Sequence, residues 1–136
     1  MRTFIKNIVW SVAALLCGAM LYILLRPDSY VGKLFSNCRY VLDFQNSLRH
    51  ISAGFLRYYL PDMLWALALG CCIQGVLVPK SAGVFVCSAL PLLYGLLWEL
   101  LQYRGVLMGT GDLLDVLMYF CGSLVSVIIN LKEIRK

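Results

Sequence analysis

The stretch WELLQYRGVLMGTGDLLDVLMYFCG, Trp98 to Gly122, decides how the chain is to be read. Two apolar runs meet in it, and Glu99, Gln102, Arg104, Asp112 and Asp115 gather around the junction. Upstream, the run from Gly83 to Leu101 is uncharged until Glu99, and downstream the run from Leu113 to Leu131 is uncharged after Asp115. A helix crosses the hydrocarbon layer with about 20 apolar residues. Both runs meet that length, so the junction is a short loop at one membrane surface with the acids crowded against it.

Composition agrees. Of 136 residues, 61% are hydrophobic and 14% charged, against roughly 25% charged in soluble domains, and the mean hydropathy is +0.80. The length holds four crossings as a single domain, predicted near residues 7–25, 61–78, 82–102 and 112–131. The net charge of +5 comes from Lys and Arg flanking apolar runs, the pattern of contacts with anionic head groups rather than nucleic acid. The partners expected are membrane lipids, with no nucleic acid.

The first run, from Ile8 to Leu25, exceeds the roughly 7 to 15 apolar residues of a signal peptide and is read as a retained span. Between Ser29 and Leu60, the residues Leu48, Ile51, Phe55 and Tyr59 recur at helical spacing, with Arg49, His50 and Arg57 available for the other side. That pattern predicts an interfacial helix in the first loop, resting on the membrane over the site. Pro61 and Asp62 open the second span, where Pro suits the first turn and Asp the positive end. The third span contains Pro91, and the short Pro79-Lys80-Ser81 connection makes spans two and three antiparallel neighbours.

Four spans put both termini on one side; the basic flanks Arg2, Lys6, Lys132, Arg135 and Lys136 argue for the cytoplasmic one, while a comparable number of basic residues in the first loop argues the reverse, and the basic flank of the first helix decides for the former. Cys17, Cys71, Cys72, Cys87 and Cys121 fall within apolar runs without zinc-site spacing and are read as buried thiols. Cys38 lies in the polar loop, and its role is left open. No nucleotide, hydrolase or zinc motif occurs, so no cofactor or metal and no specific enzyme chemistry is implied.

Candidate site residues follow from helical periodicity. Asp112, Asp115, Tyr119, Gly122 and Ser126 form one stripe on the fourth span, and Gly95, Glu99 and Gln102 form another on the third. Asp62 joins them from the second, and Arg104 is placed to pair with Glu99 or Asp112. Capping accounts for Asp62, Asp112 and Asp115 at helix starts. It does not account for Glu99, which opposes its own helix dipole, so Glu99 with Gln102 carries the stronger functional signal.

Several of these segments resemble the VanZ-like family of small bacterial integral membrane proteins: Glu99-Leu-Leu-Gln102, the Gly109-Thr110-Gly111-Asp112-x-x-Asp115 turn, Tyr119-x-x-Gly122, and Leu60-Pro61-Asp62-x-x-Trp65-x-x-Ala68-Leu69. Where that family often has Asp-Lys-x-x-His, this chain has Asp62-Met-Leu-Trp65, and Tyr119 stands where an asparagine is common. The resemblance implies a cell-envelope context.

The reading is therefore an all-α bundle of four transmembrane helices with an acidic pocket at its outer surface. Its candidate ligand-binding residues are Asp62, Glu99, Gln102, Arg104, Asp112, Asp115 and Tyr119. Expected ligands are amine-bearing or sugar-hydroxyl head groups of a lipid or lipid-linked envelope precursor. The alternatives are acid/base catalysis on a lipid-linked substrate and a small proton-coupled or accessory subunit.

Overall fold

The computed structural model describes residues 2–26, 33–34, 38–48, 54–77 and 81–134. Its elements are α1 (Arg2–Leu25), α2 (Arg39–Leu48), α3 (Gly54–Tyr58), α4 (Leu60–Leu77), α5 (Ser81–Tyr103) and α6 (Leu113–Ile134). Four of them are long and apolar enough to cross a membrane, over Thr3–Leu25, Leu60–Leu77, Gly83–Tyr103 and Leu113–Asn130. The chain is an all-α, multi-pass membrane bundle, with each crossing close to the bounds expected from sequence.

Helix α4 organises the bundle. It packs against α1 on one flank and α6 on another, and α5 lies chiefly against α6 with a thinner seam to α4. The close α4–α6 approach depends on Gly122, because a Cβ there would fall on the Met63 carbonyl oxygen and 2.9 Å from Ala66 Cβ. Small residues permit such contact where lipid tails remove the hydrophobic incentive for helices to associate. Ala14, Leu67, Ala68 and Cys71 form a core cluster between α1 and α4, with Val125 and Ile129 of α6 packed against it.

A second layer is polar, and the sequence reading did not find it. Asn7, Gln74, Ser88, Ser126 and Asn130 are all buried, one or more from each span. Gln74 Nε2 donates to Ser88 Oγ at 2.5 Å and to Ser126 Oγ at 3.2 Å. Asn130 Nδ2 donates to Asn7 Oδ1 at 3.0 Å and to Gln74 Oε1. Lys6 Nζ donates to the Ile129 carbonyl at 3.1 Å, so the start of α1 sits beside the end of α6. Isolated amide or hydroxyl groups in hydrocarbon are costly. Joined across helices, they fix which faces meet.

In the first loop, the expected helix over Leu48 to Tyr59 falls partly outside the described residues. The described helices there are α2, docked on α1 through Gln45 Nε2 and the Ile23 carbonyl at 2.7 Å, and the short α3. Arg49, His50 and Ile51 lie outside the described residues. Arg26 joins the loop to the first span: its Nε donates to the Arg57 carbonyl at 2.8 Å and its Nη2 to the Tyr58 carbonyl at 3.3 Å.

Replacing Gly122 with Ala should force α4 and α6 apart and cost about 1–3 kcal/mol, the usual penalty of overpacking. Gly18→Ala, whose new methyl meets nothing closer than Leu64 Cβ at 3.9 Å, should be neutral or stabilising. Thermal unfolding in detergent compares the two, and equal midpoints would contradict the packing described.

Candidate functional site

The site lies where α5 turns into α6, and the turn is held by backbone geometry first. Gly105 has φ of +69°, its N–H donates to the Gln102 carbonyl at 2.9 Å, and the Val106 N–H donates to the Leu101 carbonyl at 2.9 Å. This is a Schellman termination, in which a left-handed glycine lets the chain turn back on the last carbonyls of its helix. Gln102 Nε2 then donates to the Met108 carbonyl at 3.1 Å, tying the loop to the helix it has left.

Glu99 corrects an inference drawn from sequence. Its acid opposes the dipole of α5, yet its Oε2 accepts the Asp112 N–H at 2.9 Å, and Glu99 is only 6% exposed. The positive end it serves belongs to the neighbouring α6. Asp112 continues the arrangement: its Oδ1 accepts the Leu114 N–H at 2.9 Å, as an N-cap does, and its Oδ2 accepts the Tyr59 hydroxyl at 3.1 Å. The hydrogen bond to that carboxylate, followed by desolvation and the charges of Asp112 and Asp115, raises the Tyr59 hydroxyl above its ordinary pKa of 10.0. Glu99, Gln102 and Asp112 thus build the wall and clip it to the first loop.

Asp62 and Asp115 form the floor. Asp62, in the first turn of α4, shares the lining of one chamber with Glu99, Asp115 and Tyr119. Tyr119 is 7% exposed and its ring lies over Gly95, where any Cβ would overlap it. Above these groups is a chamber of about 370 Å³ whose wall includes Asp62, Glu99, Gln102, Asp112, Asp115 and Tyr119. A second cavity of about 240 Å³ shares Asp62, Trp98 and Tyr119 with it and adds Trp65 and Tyr94.

Three crossings therefore bring the expected acids together. Arg104 is not part of the chamber: it follows the last residue of α5 and is exposed. The cation in the wall is Arg26, accompanied by Tyr22, Tyr58 and Tyr59. Arg26 directly follows the first apolar run and was not among the candidate residues. Its position at the same membrane surface as Asp62 was the available signal. Among the described residues, no group of three or more His, Cys, Asp or Glu is arranged to hold a metal ion.

No known family model, curated protein or solved structure matches the chain.

Glu99→Gln keeps an acceptor for the Asp112 N–H and should fold with nearly unchanged stability. Glu99→Leu leaves that donor without its acceptor and should cost about 1–3 kcal/mol, measured by thermal unfolding in detergent. Tyr59 should ionise above pH 10.0, and Asp112→Asn should move it back down. Alkaline difference absorbance against Tyr59→Phe isolates this one phenol.

Proposed function

We propose that this is a cell-envelope membrane protein, of the kind its VanZ-like motifs suggest, that binds the polar head of a membrane lipid or lipid-linked envelope precursor. In this reading the termini face the cytoplasm, the orientation that their basic flanks favour under the positive-inside rule, and the chamber opens at the outer surface. The observation that carries the reading is the floor of the chamber. Asp62 and Asp115 arrive from different crossings and both border a space of about 370 Å³.

Capping alone does not require the two to share a chamber. Asp112 and Glu99 already serve the start of α6, and Asp62 and Asp115 line the chamber beside them. Carboxylates set together at the edge of a bilayer are expensive unless partners or water receive them. A head group bearing amine or hydroxyl donors supplies such partners.

Two acids on the wall of one chamber also favour a second reading, acid/base catalysis on the bound lipid. One carboxyl would donate and the other accept a proton as in other paired-acid sites. Its mark is a chemical change in the bound molecule.

Native mass spectrometry of detergent-purified protein tests both. The double variant Asp62→Asn with Asp115→Asn should retain about tenfold less lipid, the scale of one lost charged hydrogen bond. Unchanged retention would sink the binding proposal. A mass change in bound lipid that Asp115→Asn abolishes would select the catalytic reading.

A further inference from the structure

The smaller cavity identifies the class of head group. Its walls are largely aromatic, and their ring pairs are tilted, edge-on and stacked. Trp65 and Tyr94 have ring centroids 5.3 Å apart, tilted by 38°. Trp65 and Tyr119 are 6.1 Å apart and edge-on at 72°. Tyr94 and Trp98 stack at 6.1 Å along α5. Three helices supply these rings, and Asp62 lies among them. A sugar binds best against one open ring face. Several rings lining one cavity beside a carboxylate suit a compact cation, which gains from aromatic surface and an anion together.

The cleft also has a direction. It runs along the thin α4–α5 seam, and Tyr94 and Trp98 are 49% and 40% exposed within a crossing, which there means facing lipid. Tyr94 precedes the last residue of α5 by nine positions, about 13 Å along the axis at 1.5 Å per residue. The interfacial layer on each side is only about 5–7 Å deep. The cleft therefore continues from the polar chamber into the depth of the acyl chains. A water-borne amine does not need such an extension, whereas a lipid does.

We propose that the ligand is a phospholipid with an ammonium head group that enters sideways between α4 and α5. Its ammonium rests between Asp62 and the rings of Trp65, Tyr94 and Tyr119, and its acyl chain lies in the seam. Arg26, in the chamber wall, faces the phosphate. This rests on the head-group reading above and names its chemical class and route.

Tryptophan fluorescence tests it. The Trp10→Phe protein retains Trp65 and Trp98 as its only tryptophans. Reconstituted in phosphatidylglycerol vesicles, it is given tracer lipids with brominated acyl chains and ethanolamine, choline, glycerol or glucosyl heads. The ammonium tracers should quench at about tenfold lower mole fraction than the glycerol tracer. Asp62→Asn should remove that preference, and Tyr94→Leu, at a position 49% exposed, should reduce it about threefold to tenfold. Equal quenching by all heads, a preference that survives Asp62→Asn, or free ethanolamine binding as tightly as its lipid would overturn the inference. Glycerol or glucosyl binding lost in the Asp62→Asn, Asp115→Asn double variant would overturn it while leaving the head-group reading intact. Absence of any acid-dependent binding would remove both.

Discussion

Hydrocarbon supplies no hydrogen bonds, and the structure is arranged around that constraint. Every polar side chain placed inside a crossing must meet another such group or reach a watered surface. The protein does this at two levels. Near the termini, Asn7, Gln74, Ser88, Ser126 and Asn130 hydrogen-bond to one another in a buried layer. At the opposite surface, Asp62, Glu99, Asp115 and Tyr119 border a chamber. The two layers use the same chemistry differently, since one joins its polar groups across helices and the other sets carboxylates around an open space.

This division gives the acids separate tasks. Glu99 and Asp112 hold backbone donors at the start of α6, and Gln102 anchors the loop behind them. These residues make the chamber rigid enough to have a shape. Asp62 and Asp115 stand on its floor, one from each of two helices whose separation Gly122 sets. A binding function placed on the floor is then mechanically supported by residues that need not touch a ligand.

The first loop completes the enclosure. Arg26 clasps the carbonyls of Arg57 and Tyr58, and its guanidinium lies 4.8 Å from the centre of the Tyr22 ring and 5.2 Å from that of Tyr58. Tyr59 reaches across to Asp112. The end of the first span, the loop and the start of the last span are thereby fastened at one level, which places a cation and three phenols opposite the acids.

Much of the architecture was legible in the residues themselves. Apolar run length determined four crossings, since a run too short cannot span and a charged one cannot stay in hydrocarbon. Three- and four-residue spacing determined that Asp112, Asp115 and Tyr119 share a face, because helical periodicity is a local property. Tertiary structure alone decided which faces meet. It turned Glu99 from an acid opposed to its own helix into an acceptor for the next, left Arg104 outside, brought in Arg26, and joined Asn7 to Asn130 across 123 positions of chain. Such pairings depend on the approach of separate helices, and spacing within any one helix carries no record of its neighbour.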